Sequence, residues 1–539
     1  MISISARYLA LCSLPFSTLV LAAPFQGRSS GIQWGPCDAS LEAFKVAGGY
    51  NGTINCANLT VPLDYTNKSS NATIDLNLLR IPAPKGKSKG SLQFNFGGPG
   101  LVARSQLAQQ VLTWQVLSGS AYDLLAFDPR GTGNTLPYAC YKNASEQALV
   151  LPHATNVNAS DVAVGEAWVG AGNLAGACAV NMEFAPYVGT AAVARDHMSV
   201  VDALGEDGLL HYYGGSYGTA LGATLAAMFP DRIGHMIVDG VIDAQEYYHD
   251  TAEAEYISDA DATWSAFFAG CVAAPENCAL ASANRSAAQL EAAFYSWLYK
   301  VKEVPLGDNY STLIDYTSIK GFVRQALYSP GGWGQTSLIL GKLYEGKVTE
   351  ALALLAESYP VAAGAEPQDK VDTSATSNLG IRGVDKTVRV QTLKEYMPSI
   401  EKILNSSRII GDISAYSQMA VTQWKTSAVE IYGGDFKVKT KNPVLVTSNS
   451  FDPLAPLRAA KRLSGLLEGS SLLINNGYGH TVLSQASVCT IKHIRDYLVA
   501  DKLPANNTLC EVDIPLFSTN VTLDAVLAQV EKEYASKER

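Results

Sequence analysis

Leu209-Leu210-His211-Tyr212-Tyr213-Gly214-Gly215-Ser216-Tyr217-Gly218-Thr219-Ala220-Leu221-Gly222-Ala223-Thr224-Leu225-Ala226 runs from an apolar stretch, through a glycine-rich turn around one serine, into a helical segment. Its centre fits the pattern G-x-S-x-G. The pentapeptide alone says little: with 45 Gly among 539 residues, chance supplies roughly 0.3 matches in a chain of this length. The setting adds the weight. A strand, a sharp turn and a helix in this order lift a serine hydroxyl to the head of the helix, where backbone N–H groups favour developing negative charge. The turn crowds its neighbours, so small residues are needed at the flanking glycines.

Such a hydroxyl needs a general base, and the base needs an orienting acid. In this setting the chain order is serine, acid, histidine. Of the seven His, only His480 and His493 follow the last plausible acid. His480 lies in the loop Gly477-Tyr478-Gly479-His480-Thr481 after an apolar run. His493 falls in Ile491-Lys492-His493-Ile494-Arg495-Asp496-Tyr497-Leu498, which reads as the surface of an amphipathic helix. His480 is therefore the expected base. Asp452 closes the run Val444-Leu445-Val446-Thr447-Ser448-Asn449-Ser450-Phe451-Asp452-Pro453 and is the only carboxylate between Asp435 and Glu468, which makes it the expected acid. An oxyanion hole needs two N–H groups. One is that of Tyr217. The other is sought in Gly97-Gly98-Pro99-Gly100, where proline has none; Gly97 is favoured, with Gly98 as the alternative.

Further apolar runs end in turns of the same kind: Ser91–Phe96 before Gly97, Tyr122–Phe127 before Asp128, His235–Val238 before Asp239 and Ser471–Ile474 before Asn475. Helical patterns at Ala192–Leu204 and Thr219–Phe229 fall between them. This alternation predicts an α/β fold with a mostly parallel sheet flanked by helices and a site at the strands' carboxyl ends. From Ala244 to Val438 helical periodicity takes over, as in Ala287–Tyr299 and Leu338–Ser358. The expected organisation is a first core part over 23–243, a helical cap over 244–438 and a second core part over 439–539. Gly364–Ser377 is expected to be a loop.

Composition narrows the function. Hydrophobic residues make up 47% and charged residues 17%, a globular balance. A net charge of −10 without a basic run argues against nucleic-acid binding. Neither H-E-x-x-H nor C-x-x-C occurs, so no metal is expected. Residues 1–22 read as a secretory signal peptide, with Arg7 ahead of an apolar stretch too short and too broken by Pro15 to span a membrane. The eight cysteines beyond it, Cys37, Cys56, Cys140, Cys178, Cys271, Cys278, Cys489 and Cys510, suggest four disulfides in an oxidising compartment. Of the 105 connectivities open to eight cysteines, pairing of chain neighbours is expected because each consecutive pair is close in sequence. Eleven N-x-S/T sequons, at Asn51, Asn58, Asn67, Asn71, Asn143, Asn158, Asn284, Asn309, Asn405, Asn506 and Asn520, point to an N-glycosylated secreted protein. The vacuole and the cell wall are the other destinations considered.

Taken together, Phe96–Gly100, Asp128-Pro129-Arg130-Gly131-Thr132-Gly133, Tyr213–Gly218, Asp239-Gly240-Val241, Asp452-Pro453-Leu454-Ala455-Pro456 and Gly477–His480 resemble the tripeptidyl aminopeptidase-like branch of the α/β-hydrolase superfamily, which is related to the prolyl aminopeptidases. The resemblance spans about Trp34 to Leu498, and 439–539 would be the TAP-like C-terminal region. Cys271–Cys278 resembles a cysteine pair at the start of that family's cap. The resemblance implies an α/β-hydrolase fold with a helical cap and a cofactor-free serine hydrolase, a protease that releases short peptides from free N-termini. Leu101-Val102-Ala103-Arg104 departs from the family's small residues after G-G-P-G. That keeps open a carboxylesterase, or a hydrolase or acyltransferase acting on a small secreted ester or amide; a non-catalytic binding protein is the third reading. An aminopeptidase must also hold a buried ammonium. Glu253, Glu255 and Asp385, with Asp250, are the candidates for its counter-charge.

Overall fold

The computed structural model describes residues 31–84, 88–143, 145–147, 156–282, 284–358 and 373–537. The expected signal peptide and residues 364–372 of the expected loop lie outside the described residues.

The central runs become strands because they are apolar on both faces, as strands covered by helices on either side must be. They are β3 (Ser91–Asn95), β4 (Asp123–Phe127), β5 (Leu210–Gly215) and β6 (Ile233–Asp239). All residues of β3 and β5 are buried. β9 (Leu445–Phe451), β10 (Ser471–Tyr478) and β11 (Thr508–Glu511) continue the sheet in parallel. β1 (Asn55–Pro62) and β2 (Thr73–Ile81) form an antiparallel pair beyond the expected parallel runs. The full order is β1-β2-β4-β3-β5-β6-β9-β10-β11. β3, β5, β6, β9 and β10 are neighbours in it and all run parallel. Their carboxyl ends, Asn95, Gly215, Asp239, Phe451 and Tyr478, therefore line one edge, the edge where such sheets build their sites.

Between β6 and β9 the described elements are helices, from Ala244–His249 to Gly411–Thr422, and a short hairpin of β7 (Leu306–Gly307) and β8 (Leu313–Ile314). One buried cluster joins sheet residues such as Tyr212 and Val238 to Trp264, Phe267 and Trp333 of this insertion. The periodic stretch Leu338–Ser358 is helical in two pieces, Trp333–Tyr344 and Val348–Ser358, divided where Gly346 at φ +72° turns the chain into the left-handed region. One expectation is corrected here. Ser374–Ser377, expected in a loop, opens the helix Ser374–Asp385. Four disulfides join chain neighbours: Cys37–Cys56, Cys140–Cys178, Cys271–Cys278 and Cys489–Cys510. Among the described residues no helix is long and apolar enough to cross a membrane.

Candidate active site

Ser216 sits between β5 and the helix Tyr217–Met228 at φ 56°, ψ −124°, a conformation a non-glycine residue adopts only when its surroundings force it. The forcing contacts are on both sides. Its N–H donates to the Asp239 carbonyl at 2.9 Å, and its carbonyl accepts from Thr219 N at 2.8 Å and Thr219 Oγ1 at 2.6 Å. The flanking glycines are obligatory: a Cβ on Gly214 would lie 2.2 Å from the Gly218 carbonyl oxygen, and one on Gly218 2.5 Å from that of Asn95. Ser216 is half-buried.

Asp452 and His480 meet as expected. The imidazole Nδ1 lies 2.9 Å and 3.0 Å from the two Asp452 oxygens. Asp452 is fully buried and also accepts from Leu454 N, Ala455 N and Thr481 N. Asn449 fixes the histidine loop, its Nδ2 donating to the carbonyls of Gly479 at 2.9 Å and Thr481 at 2.7 Å. The turn Asp239-Gly240 links serine and histidine. Asp239 holds the Ser216 N–H, and a Cβ on Gly240 would lie 3.3 Å from His480 Cε1 and 3.3 Å from Asp452 Oδ2.

Burial alone would push the imidazole pKa down, but the charge and hydrogen bond of Asp452, with Asp239 adding to them, hold it above its ordinary value; Arg324 opposes them. Asp239 was not singled out from sequence as a charged member of the site. It is buried, accepts from Val482 N and Tyr213 Oη, and is pushed up to about 6, chiefly by desolvation.

The oxyanion expectation shifts by one residue. The Gly97 N–H donates to Asn95 Oδ1 at 3.0 Å, so it is not available to a substrate. Among the described residues no acceptor faces the N–H of Gly98 or of Tyr217. Gly97 has a different task. Its backbone packs so tightly that a Cβ would lie 2.8 Å from Ser216 Cβ and 3.0 Å from Tyr217 N. In the departing stretch that follows, Leu101 is exposed, whereas Arg104 is buried against Asp128 at 2.8 Å.

Two family descriptions match this chain. A model of the α/β hydrolase fold covers residues 106–337, and one of TAP-like proteins covers residues 407–510. The chain thus carries an α/β-hydrolase-fold region followed by a TAP-like region. It is similar to the serine protease Hip1 of Mycobacterium tuberculosis, 29% identical over 89% of this chain and 91% of the relative. The tripeptidyl aminopeptidase of Streptomyces lividans is 25% identical over 89% and 87%. Carboxylesterase B of Mycobacterium tuberculosis is 26% identical over 85% and 86%. The fold and these relatives, two peptidases and an esterase, support a serine hydrolase.

The carboxylates expected to meet a substrate ammonium are already engaged, which corrects that expectation. Glu253 is buried and paired with both Arg382, at 3.0 Å, and Lys386. Glu255 pairs with Arg462 at 3.0 Å and Asp250 with Lys402 at 2.7 Å. Asp385 is fully buried and accepts from Thr190 N, Thr190 Oγ1 and Tyr247 Oη, so it anchors the helix Thr190–Leu204. Glu246 is the exception in this group. It is half-buried, no described residue pairs with its carboxylate, and burial followed by the charges of Asp250 and Glu255 pushes its pKa up to about 7. His493 lies beside Cys489 and Cys510, whose sulfurs are taken by their disulfide and offer no thiolate to a metal. A cavity of about 580 Å³ between Pro275, Asn277, Leu338 and Phe517 is lined by none of Ser216, Asp452, His480 and Glu246.

Proposed function

We propose that the hydrolase works through a triad of Ser216, His480 and Asp452 and releases short peptides from free N-termini. The observation that carries this reading is the joining of the three at one sheet edge: the Ser216 turn bonded to Asp239, the Gly240 step against His480, and His480 on Asp452. Ser216 Oγ attacks the scissile carbonyl while His480 Nε2 takes its proton and passes it to the leaving amine. Asp452 holds the ring and its positive charge. The N–H groups of Gly98 and Tyr217 receive the oxyanion, a contact worth about 10²–10³ in turnover per donor. Water then attacks the acyl-enzyme by the same relay. Glu246 is the carboxylate left to receive the substrate ammonium. Because the imidazole pKa is raised, kcat/KM should climb with pH through a value above the ordinary 6.5 of histidine.

The chain is further proposed to be secreted and glycosylated. All eleven sequon asparagines are exposed, and four disulfides tie the chain. The engagement of Glu253, Glu255 and Asp385 favours a second reading, an esterase that needs no ammonium site. Three substrates separate the two: a tripeptidyl anilide with a free amine, its N-acetyl twin and a short p-nitrophenyl ester, with Ser216→Ala as control. Turnover of the free-amine anilide alone, lost in the control, supports the aminopeptidase. Turnover confined to the ester, or indifferent to acetylation, overturns it.

A further inference from the structure

The helix Tyr316–Ala326 carries two cations one turn apart, and they are treated differently. Lys320 is buried and fully matched: its Nζ lies 2.6 Å from Asp412 and donates to Tyr316 Oη and the Arg408 carbonyl. Arg324, four residues on and so on the same helix face, makes no hydrogen bond or ion pair with any described residue. Its Nε is buried with no acceptor. Four residues further, Tyr328 touches the site itself: its carbonyl accepts the His480 N–H at 2.8 Å, and its ring stands edge-on to the imidazole, centroids 5.5 Å apart. The Arg324 charge is felt by both His480 and the half-buried Tyr256. The fold thus brings a guanidinium to the serine–histidine edge and leaves it without the counter-ion that it gives to Lys320.

We propose that Arg324 is a substrate-binding residue that receives a carboxylate lying close to the scissile bond. This rests on the hydrolase reading above and adds a substrate class to it: peptides or amides with an anionic group near the cleaved carbonyl. The guanidinium is suited to the task, since its planar fork takes a carboxylate by two charge-assisted hydrogen bonds. Binding also has a consequence for the chemistry. The unpaired cation opposes protonation of His480. A carboxylate that neutralises it removes that opposition as the imidazole takes the serine proton, so the anion assists the step as well as the binding.

The carboxylate has two possible sources, the free C-terminus of a short peptide on the leaving side or an acidic side chain on the acyl side. Two substrate pairs separate them: tetra-alanine against its C-terminal carboxamide, and Ala-Glu-Ala-p-nitroanilide against Ala-Gln-Ala-p-nitroanilide. The glycosylated full-length protein, Arg324→Gln and Arg324→Lys are compared, with thermal melting and fluorophosphonate labelling of Ser216 as controls. In at least one pair the unmodified protein should prefer the carboxylate by roughly 10- to 100-fold in kcat/KM, the range of a charge-assisted hydrogen bond. Arg324→Gln should abolish that preference while its carboxamide or Gln partner changes little, and Arg324→Lys should keep part of it. Absence of the preference in both pairs, or its survival in Arg324→Gln, overturns the proposal, as does an equal loss for both members of a pair. A protein that labels at Ser216 but shows no preference refutes Arg324 alone. Failure of Ser216 to label in the unmodified protein refutes the hydrolase mechanism on which it stands.

Discussion

Glu253→Gln tests whether that carboxylate belongs to the fold or to the substrate. Its side chain is 5% exposed and bonds Lys386, which is 0% exposed, and Arg382, which is 12% exposed. Glutamine keeps an acceptor but removes the charge, leaving two buried cations without compensation. Removing one partner of a buried ion pair costs about 3–5 kcal/mol. Taking the sheet and the insertion as one unfolding unit, about 2.1 cal/mol/K per residue over 539 residues gives an unfolding entropy of about 1.1 kcal/mol/K, so Tm should fall by about 3–5 °C. The loss has a pH signature. Burial already holds the Lys386 pKa below its ordinary value, and Glu253 is the largest influence raising it. Without Glu253 it falls further, so the unfolded chain binds more protons than the folded one, and the variant regains stability as pH rises. The Tm gap to the unmodified protein should narrow from pH 6 to pH 9. Scanning fluorimetry measures it, beside kcat/KM for the free-amine anilide and its acetylated twin, which should fall together. An unchanged Tm with loss confined to the free-amine substrate would refute the reasoning and return Glu253 to the ammonium site.

Gly97→Ala should leave the protein folded but slow acylation by about 100-fold, the cost of displacing reacting groups by about an ångström. The new Cβ meets the Gly215 carbonyl at 2.6 Å and Ser216 Cβ at 2.8 Å, on a backbone at φ +95°; a variant that labels with fluorophosphonate at the normal rate would contradict this. Asp239→Asn should flatten part of the stability profile. A carboxylate pushed up to about 6 in the folded state holds its proton there while the unfolded chain loses it near 3.8, so stability is full below pH 4 and falls as pH rises through 6. Two units are worth ~3 kcal/mol, and equal slopes of Tm against pH between 4 and 7 in variant and parent would exclude it.

What could be read from the chain is what the chain keeps local. Ser216, Asp452 and His480 each follow their own apolar run within a few residues, so strand, turn and functional side chain form one readable unit. The parallel strands from β3 to β10 were legible for the same reason, being apolar on both faces. β1 and β2 were not. Their outer residues alternate with polar ones, and Asn58 puts a sequon in the middle of β1, so the stretch reads as exposed loop until β4 pairs with β2 and supplies the buried face. The choice between Gly97 and Gly98 turned on a single side chain, Asn95, two residues away but pointing back into the turn. Gly346 stood inside a helical period that it in fact divides.

The charges of the insertion were the least legible part, because pairing there is a matter of distant chain segments. Glu253 meets Arg382 and Lys386 across 129 and 133 residues, and Lys320 meets Asp412 across 92. From sequence all of these read alike, as helix charges. In the folded chain they separate into two kinds. A matched buried pair holds helices in place, and its loss is felt in stability. A charge near reacting groups that no described residue pairs with carries an electrostatic cost that a ligand of opposite sign can offset. Arg324, whose charge reaches His480, is of the second kind, and the Glu246 carboxylate likewise pairs with no described residue. A short peptide carries both of the matching charges, whereas a neutral ester carries neither. On electrostatic grounds, therefore, the two unmatched side chains favour a peptide over an ester.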